Sequence, residues 1–539
     1  FRLIGQSLPR VDSPDVVRGA PIYTSDLRLP GMYTAVIARP PSIGATLTHV
    51  DDAAARQVPG VQQVVTVPSG VAVVADGYWA AEQGRRALRL SWSEGTAPTL
   101  NDDAIDATLR EALDAPGLAI IQREGTPDAA HATAAQQIDA EYAVPYLAHA
   151  TMEPMVCVAD VRDDACTVWA PTQLQWGPSY AGGGAIGTAA DRADVPVSRV
   201  TIHSMQMGGG FGRRSELDFI AEAVEVSKAV GAPVKVQWSR EDDMRHDWYR
   251  PAARHRLRGG LDANGRPVAW LHDIATPSLL RRFVPGFVPG FVTDRLGFTT
   301  KGIDPTSFEG AETIPYALGA RALRCITADL PVPLGFWRSV GHSHTAFAVE
   351  SFIDELAHRA AQDAYEFRRS LLAEHPRHRA VLELAATRAG WGAPLPEGRA
   401  RGIALHESFG SIVAQVAELS RDRDGRPRVH RVVCAVDCGL AINPEQIRAQ
   451  MEGGIVFGLT AALDGRVTID RGRVTTSNFH DYPLLRADRM PLIETHIIPS
   501  AEPPMGVGEV ATPPIAPAVA NAFFALTGER VRRLPFPAT

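Results

Sequence analysis

The sequence predicts an α+β protein built from several mixed domains. Short apolar runs bounded by turn residues, which are typical of strands, are interspersed with longer segments in which apolar residues recur at helical spacing. The 539 residues are enough for about three to four domains of ordinary size. No segment repeats with a period of about 20–50 residues, which argues against a solenoid. The mixed signals also argue against one single sheet.

The first hundred residues contain both kinds of signal. Residues 33–38 and 61–67 are predicted strands. Residues 51–57 are predicted to form a helix that begins at an aspartate cap. Residues 101–135 are polar and rich in alanine, and we expect them to form a surface connection with one helix at 103–114.

Two further units are expected, at 136–395 and 396–539. A link rich in Gly and Pro at 384–400 joins them. The predicted strands of these units are 166–170, 200–203, 234–238, 411–418 and 430–436. The predicted helices are 217–230, 346–374, 444–463 and 516–526.

The composition is that of an ordinary globular protein, with 45% hydrophobic and 21% charged residues. The 54 Lys and Arg residues against 61 Asp and Glu residues give a net charge of −7, and no block of like charge stands out. This distribution argues against nucleic acid or an anionic membrane surface as a partner. No apolar run reaches the roughly 18 residues needed to cross a bilayer.

The five cysteines are an odd and sparse set, which argues against a disulfide scaffold. None of them forms the Cys-x₂-Cys pair expected of zinc or iron–sulfur sites. Cys434 and Cys438 lie in a strand-like run, and we interpret them as buried structural residues. If the protein carries out redox chemistry, this chain has no iron–sulfur relay of its own.

A glycine-rich run at 207–214 is the first segment that indicates chemistry. Its glycines precede a long predicted helix, so that backbone N–H groups can approach an anion and the helix N-terminus adds positive potential. Arg213 and Arg214 are placed to add charge-assisted contacts. A tight turn with solvated arginines explains the same residues equally well. The run is neither a Walker loop nor a Gly-x-Gly-x-x-Gly dinucleotide motif.

A single carboxylate, Glu509, marks the second informative segment. It follows a Gly-x-Gly turn and is the only charged residue between Glu502 and Glu529. A carboxylate in such apolar surroundings is expected to have a raised pKa, which suits a general base. An exposed loop carboxylate or a helix-cap partner is the alternative that the composition alone leaves open.

Together these segments resemble the molybdenum hydroxylase (xanthine oxidase) superfamily, in particular the beta subunits of isoquinoline 1-oxidoreductase and nicotinate dehydrogenase type, which include aldehyde-oxidising relatives. The resemblance extends over essentially the whole chain. Its most specific marks are Gly-Gly-Gly-Phe-Gly-Arg-Arg at 208–214 and Gly-Val-Gly-Glu at 506–509. Supporting motifs are Met-Glu-Pro at 152–154, Pro-Thr-Gln at 171–173, Phe-Trp-Arg-Ser-Val-Gly at 336–341, Asp-Cys-Gly at 437–439, Ile-Asn-Pro at 442–444, Gln-Met-Glu-Gly-Gly at 450–454 and Ser-Asn-Phe-His-Asp-Tyr at 477–482.

The resemblance implies a domain order. Pro-Arg-Val-Asp at 9–12 and Val-Arg-Gly-Ala at 17–20 resemble the start of the family's hammerhead domain, which we expect at 1–100. After the connection, 136–395 and 396–539 are expected to be the first and second molybdopterin-binding α/β subdomains, the second of them incomplete.

The resemblance also implies roles for individual residues. Glu509 matches the family's catalytic base. Gln173 matches a glutamine whose amide approaches an apical ligand of the metal, and Gly210 and Phe211 match the backbone around the apical oxo group. The metal is held by the pterin's sulfurs, so no metal-ligating residue is expected in this chain. The cofactor-binding residues carried over are Gln173, Gly209, Gly210, Phe211, Gly212, Arg213, Arg338, Ser339, Gln450 and Gly508.

Some of these residues have a plainer interpretation. Arg338 and Ser339 match a turn at the dithiolene end of the pterin, but an arginine in that place also serves as a structural ion-pair partner. Gln450 matches a cofactor-binding glutamine, and an ordinary helix-surface residue is its alternative. His342 and His344 near the turn are interpreted as packing or hydrogen-bonding residues.

Two departures concern the substrate. Purine-oxidising members carry a glutamate four residues after the phenylalanine of the glycine-rich turn, where this chain has Ser215, with Glu216 displaced by one. They also carry a substrate-binding arginine, and the matching stretch at 307–312 contains none. Xanthine is therefore a poor candidate.

A third departure concerns completeness. The Gly-Gln-Gly turn and the Ser/Ala turn that hold the pterin and its nucleotide in this family are not found in the 539 residues. We expect another polypeptide, or an upstream segment separated by cleavage, to supply them.

The function that the resemblance implies is molybdopterin-dependent hydroxylation of an N-heteroaromatic compound or an aldehyde, with water as the oxygen source. An aldehyde dehydrogenase of the same family shares every motif, and a cofactor-free scaffold subunit is the alternative of another class. The expected cofactor is molybdopterin with molybdenum, in its cytosine dinucleotide form.

The expected partners are a small subunit with [2Fe–2S] clusters, the chain or segment that completes the site, a small-molecule substrate and a cytochrome as electron acceptor. Nucleic acid is not expected. A periplasmic location is expected because relatives of this branch often carry a twin-arginine signal, and the cytoplasm is the alternative.

Overall fold

A computed structural model describes residues 2–177, 183–283 and 304–537. In these parts of the chain the strands form a seven-stranded, a five-stranded and a four-stranded sheet and two two-stranded ladders. Helices pack against the three larger sheets. This mixture confirms the predicted α+β class.

The strands, numbered in chain order, are β1 Tyr33–Ala38, β2 Leu47–Asp51, β3 Val61–Val67, β4 Gly70–Ala75, β5 Arg89–Trp92, β6 Ala119–Glu124, β7 Gln136–Val144, β8 Val156–Arg162, β9 Ala165–Ala170, β10 Val200–Ser204, β11 Val234–Gln237, β12 Ala253–Leu261, β13 Pro267–Thr276, β14 Ala320–Thr327, β15 Arg399–Ser408, β16 Ser411–Arg421, β17 Pro427–Asp437, β18 Ile469–Asp470, β19 Arg473–Val474 and β20 Leu492–Ile497.

The α-helices of the described residues are α1 Ser13–Val17, α2 Tyr78–Ala87, α3 Asp102–Asp114, α4 Pro127–Ala132, α5 Gly184–Ala193, α6 Asp218–Val230, α7 Arg240–Arg245, α8 Leu279–Phe283, α9 His342–Arg359, α10 Ala364–Leu371, α11 Pro376–Ala389, α12 Pro444–Leu463 and α13 Ile515–Thr527.

The seven-stranded sheet has the order β10-β9-β8-β11-β1-β4-β3. Strand β1 lies parallel to β11, with Tyr33 opposite Val234, so the sheet joins strands from the first hundred residues to strands beyond residue 150. Helix α6 covers one face and buries Phe219, Ile220 and Val224 against β8 and β11. The region expected to be a separate hammerhead unit thus shares a sheet with the region that follows it.

The five-stranded sheet has the order β6-β14-β13-β12-β7. Its edge strand β6 and helix α3 both come from residues 101–135. Ile105, Leu109 and Leu113 of α3 are buried because they recur on one face of the helix. The prediction that residues 101–135 form a surface connection is therefore wrong, because this segment contributes a strand and a buried apolar helix face to the domain.

The four-stranded sheet has the order β15-β16-β17-β20, and β20 is its edge. Helix α13 packs on β15 and β16 and is buried from Ile515 to Phe523. The largest apolar core joins this sheet to the five-stranded sheet through α9.

The predicted elements at 33–38, 61–67, 103–114, 217–230, 444–463 and 516–526 are confirmed to within a residue or two. The predicted helix at 51–57 is wrong, because Asp51 ends β2 and accepts the N–H of Ala53, and only Ala55–Gln57 forms a 3₁₀ turn.

Two predictions about the helices between the larger sheets need correction. The predicted helix at 346–374 is two helices, since Ala361 has φ 53° and Asp363 caps α10 through the N–H groups of Tyr365 and Glu366. The predicted link at 384–400 begins only at Gly390, which ends α11 with φ 66°.

All five cysteines are buried and free, which confirms the structural interpretation of Cys434 and Cys438. Within the described residues, no helix has the length and apolarity required to span a membrane.

Candidate active site

The glycine-rich run forms an irregular loop between β10 and α6. Gly209 has φ 99°, Phe211 has φ 55° and Gly212 has φ 108°, so the backbone repeatedly enters the left-handed region. A 3₁₀ turn, Arg213–Ser215, follows before α6 begins at Asp218. The N-terminus of α6 therefore does not directly adjoin the glycines, contrary to expectation.

A side chain would collide with neighbouring atoms at Gly208, Gly210 and Gly212 of this run. A Cβ at Gly212 would lie 1.6 Å from the carbonyl oxygen of Phe336, and a Cβ at Gly210 would lie 2.5 Å from Gln173 Oε1. His149 contacts the same Phe336 oxygen at 2.8 Å. The loop is therefore pressed against two neighbouring segments, which fixes the direction of its backbone.

Gln173 is held by the loop through one end of its amide. Its Oε1 accepts the N–H of Gly212 at 3.1 Å and that of Arg214 at 3.3 Å. The side chain is exposed, and its amide nitrogen has no hydrogen bond within the described residues. Gln173 thus presents two N–H donors beside the glycine loop, as the expected contact to a metal's apical ligand requires.

Arg213 and Arg214 point into the protein. The Arg213 guanidinium pairs with Asp218 at 2.8 Å and Asp247 at 3.0 Å, and Arg214 pairs with Glu153 at 3.0 Å. Both side chains are fully buried, and burial lowers the pKa of Arg214 to about 10. The expected charge-assisted contact from Arg213 to the cofactor is not seen, because the guanidinium donates through both Nη groups to Asp218 and lies beside Asp247 inside the protein.

Glu153, which the sequence motifs mark without giving it a role, anchors the loop. Its Oε2 accepts the N–H of Gly208 at 3.1 Å and a guanidinium N–H of Arg214 at 3.0 Å. Its own N–H donates to the carbonyl of Gly208. The Met-Glu-Pro motif at 152–154 is thereby tied to the glycine run.

Aromatic stacking joins the glycine loop to the turn at 337–341. The rings of Phe211 and Phe457 stack at 4.5 Å between centroids, and Phe457 stacks on Trp337 at 4.6 Å. The backbone N–H of Arg338 donates to the carbonyl of Phe211 at 2.9 Å. Segments that are far apart in the sequence thus form one wall.

Arg338 joins this wall to the loop that carries Glu509. Its Nε donates to the carbonyl of Gly508 at 2.8 Å, and one Nη donates to the same oxygen and to Gln450 Oε1, at 3.1 Å for the latter. Within the described ranges of the chain, Arg338 forms no ion pair of the kind that its structural alternative requires. Gln450 is exposed, so its amide nitrogen, like that of Gln173, is the free end.

Ser339 holds Glu509 from the same turn. Its hydroxyl donates to the Glu509 carbonyl at 2.7 Å. Burial raises the pKa of the Glu509 carboxyl above its ordinary value, while the backbone amide of Ser339 and the charge of Arg338 partly offset the increase. This is the direction predicted from the apolar surroundings, and Glu509 is partly buried, unlike an exposed loop carboxylate.

His342 and His344, in the first turn of α9, are buried and hydrogen-bonded to other imidazoles. His342 contacts His406 at 2.8 Å, and His344 contacts His255 at 3.1 Å. Their interpretation as hydrogen-bonding residues is confirmed.

The residues present fit the expected cofactor. The glycines at 210 and 212 let the loop pack closely against Gln173 and Phe336, and the amide nitrogens of Gln173 and Gln450 are not used in the hydrogen bonds that hold their oxygens. An anionic pterin with oxygen ligands at its metal needs backbone approach and N–H donors of this kind. Among the described residues no group of three or more His, Cys, Asp or Glu side chains is arranged to hold a metal directly.

Comparison with known proteins identifies two domains. The molybdopterin cofactor-binding domain family matches at residues 114–277, and a second molybdopterin cofactor-binding domain family matches at 349–491. These spans include the glycine loop, Arg214, Glu153 and Gln450.

Several curated relatives match nearly the whole chain. The beta subunit of isoquinoline 1-oxidoreductase from Brevundimonas diminuta is 32% identical over 99% of this chain and 68% of its own length. A nicotinate dehydrogenase subunit of Pseudomonas putida is 32% identical over 100% of this chain, which spans 46% of that protein. A membrane-bound aldehyde dehydrogenase of Gluconacetobacter polyoxogenes is 30% identical over 99% of this chain and 72% of its own length.

The fold is also that of solved structures. Quinoline 2-oxidoreductase from Pseudomonas putida 86 superposes with a TM-score of 0.80, at 15% identity, over 99% of this chain and 97% of that chain. The arrangement of the three sheets is therefore shared beyond recognisable sequence similarity.

Proposed function

Because this chain belongs to the molybdenum hydroxylase family, we propose that it is the molybdopterin-binding part of an oxidoreductase that hydroxylates an N-heteroaromatic compound or an aldehyde, with water as the oxygen source. The observation that carries the proposal is the half-buried Glu509, whose backbone Arg338 and Ser339 hold through the carbonyls of Gly508 and Glu509. A base in this position takes the proton that water must lose before its oxygen reaches the substrate.

When bound, the cofactor supplies the two-electron oxidant for the substrate carbon. The residues of this chain would orient the cofactor and shield it from water. In Gln173 and Gln450 a hydrogen bond already fixes the amide oxygen, so each amide nitrogen would be left to donate to the bound cofactor. The stack of Phe211, Phe457 and Trp337 excludes water from the wall between the two loops.

Turnover of a substrate panel tests this function. Purified assembly should contain molybdenum and should oxidise quinoline, isoquinoline or benzaldehyde with an artificial electron acceptor, and the new oxygen should come from ¹⁸O-labelled water. Loaded enzyme that turns over none of these classes would contradict the proposal.

An aldehyde dehydrogenase of the same family is the second candidate, and the relative from Gluconacetobacter polyoxogenes favours it. Relative kcat/KM for benzaldehyde and quinoline decides between the two. A cofactor-free scaffold is a third possibility in another class, against which Glu509 and the glycine cradle count. Metal analysis separates it, since a scaffold should contain no molybdenum.

We also propose that this chain works together with other subunits. The relatives are named as subunits, and each turnover leaves two electrons to be passed on. The five cysteines are single and buried, so we infer that a small partner with [2Fe–2S] clusters receives the electrons and that a cytochrome accepts them afterwards. An intact, active assembly without iron would contradict this inference.

A further chain or segment is proposed to complete the cofactor site and to bind the cytosine dinucleotide form. The sequence contains no Gly-Gln-Gly turn for the pyrophosphate. Strand β20 is an edge of its sheet, and Leu492 at its start is 63% exposed. Co-expression with candidate partners, followed by gel filtration and pterin assay, tests this. A monomeric, fully loaded chain of residues 1–539 would exclude it.

A periplasmic location is likewise a proposal, which comes from the resemblance to exported relatives. Fractionation tests it, and active enzyme found only in the cytoplasm would contradict it.

A further inference from the structure

A second carboxyl group, that of Glu309, shares a turn with Glu509. The backbone N–H of Gly341 donates to Glu309 Oε2 at 3.1 Å, and Ser339 donates its hydroxyl to the Glu509 carbonyl at 2.7 Å. Ser339 and Val340 have φ 78° and 44°, which turns successive N–H groups of this segment to one side. One short turn therefore holds two glutamates that are far apart in the sequence.

Further contacts connect the two glutamates by a second route. A Cβ at Gly310 would lie 2.6 Å from His342 Nδ1, and the rings of His342 and Phe409 lie 5.3 Å apart. A Cβ at Gly506 would lie 3.0 Å from Phe409 Cβ, and Gly506 is in the loop that leads to Glu509. His342 and Phe409 thus lie between the two segments that carry Glu309 and Glu509.

Within the part of the chain that the structure describes, few positive charges lie near the two glutamates. Arg338 is the cation beside Glu509, and its guanidinium already donates to Gly508 and Gln450. Burial lowers the pKa of His342 to about 4, so that its imidazole is neutral at physiological pH.

The surroundings of Glu309 are also acidic. Burial and the carboxylates of Glu312, Asp304 and Glu509 raise its pKa to about 7, and only the N–H of Gly341 opposes them. Above this pH Glu309 is a carboxylate, and among the described residues Arg338 is the cation that acts on the neighbouring Glu509.

Resting on the proposed function, we propose that Glu309 determines the charge of the substrate: neutral or cationic aromatic and carbonyl compounds are accepted, and compounds that carry a carboxylate are excluded. A substrate carboxylate beside Glu309 and Glu509 loses its hydration and gains like-charge repulsion, and Arg338, the cation that the described residues place beside Glu509, already donates to Gly508 and Gln450. Discrimination of this kind comes from a repulsive element, not from added attraction. Nicotinate is then a poor substrate, whereas an uncharged azaarene or aldehyde is accepted.

Three ligands of similar shape and different charge test the proposal without turnover. Benzamidine, benzamide and benzoate are titrated into the cofactor-loaded assembly by calorimetry at pH 8.5. We expect benzoate to bind at least about tenfold more weakly than benzamide, and benzamidine to bind at least as well as benzamide. In the Glu309→Gln variant the ratio of benzamide to benzoate affinity should fall about tenfold.

Two further variants serve as controls. Glu312→Gln removes a neighbouring carboxyl that does not act on Glu509 and should leave the affinity ratio within about twofold. Glu309→Asp retains the charge and should retain discrimination, which covers the case that Glu309→Gln does not fold. Equal binding of benzoate and benzamide by the native protein, or an unchanged ratio in Glu309→Gln, would overturn the proposal.

Turnover separates this result from the proposed function. If the loaded native enzyme oxidises neither benzaldehyde nor quinoline, that result counts against the proposed function, whatever the relative affinities for the three ligands. Normal oxidation without charge discrimination counts against the role of Glu309 alone.

Discussion

Arg338 donates two guanidinium N–H groups to the carbonyl oxygen of Gly508, the residue immediately before Glu509. The same guanidinium reaches Gln450, and the Arg338 backbone N–H reaches Phe211. One residue therefore connects the glycine loop, Gln450 and the loop that carries Glu509.

Replacing Arg338 should loosen the loop that carries Glu509. Arg338→Lys keeps the charge but loses the fork that spans Gly508 and Gln450. We expect a loss of about 1.5–3 kcal/mol in unfolding free energy, the range for a buried charged hydrogen bond, together with a lower kcat. Urea unfolding and steady-state kinetics measure both. Arg471→Lys, whose side chain is 83% exposed, is the control and should change neither.

Glu509→Gln should retain the fold and the cofactor but lose turnover by about 10²–10⁴-fold or more, because the amide cannot accept the proton. Metal content and kcat are measured on the same preparation. Glu502→Gln, an exposed neighbour in the same segment, provides the control. Near-normal kcat at full molybdenum occupancy would remove Glu509 from the mechanism.

The activity should fall on the acid side of a pKa that lies above the ordinary glutamate value. A base must be deprotonated to act, and burial raises the pKa of Glu509, so kcat is full above that pKa and is lost as the pH falls through it. A profile of kcat from pH 4 to 9 measures this fall in activity on the acid side. An acid limb at or below the pKa of a free carboxyl would contradict the assignment.

Charge discrimination should itself depend on pH. Glu309 ionises near pH 7, so benzoate should lose affinity relative to benzamide as the pH rises through about 7. Glu312, Asp304 and Glu509 face the same group and shift that midpoint upwards, while His342 stays neutral. Calorimetry at pH 6 and 8.5 should show the change in the native protein and its loss in Glu309→Gln.

Gly212→Ala should prevent the loop from closing. A Cβ there would lie 1.6 Å from the Phe336 carbonyl, and the φ of 108° is unfavourable for alanine. We expect loss of pterin occupancy and reduced stability, measured by pterin fluorescence and thermal unfolding. Gly117→Ala is the matched control, because Gly117 has φ 103° but nothing within 4 Å. If both variants behaved alike, backbone strain alone would explain the result.

Local patterns were enough to predict the long helices and many strands. The helix at 444–463 is Pro444–Leu463 in the structure, because a proline at its first turn and an apolar periodicity are local signals. The raised pKa of Glu509 was also predictable, since a lone carboxyl among apolar residues is desolvated wherever that segment packs. Helix α3 was predicted, but its burial was not, because the strands on which it packs, β12 and β13, come from elsewhere in the chain.

Only the tertiary structure decided which groups meet. Sequence motifs placed Arg213 beside an anion, whereas the fold directs its guanidinium to Asp218 and Asp247, since a buried cation requires a carboxylate within reach. The role of Glu309 had no local signal: the stretch at 307–312 was notable only for lacking an arginine. Its partnership with Glu509 arises because the turn at 339–341 offers hydrogen-bond donors to both, and such long-range juxtaposition is a property of packing.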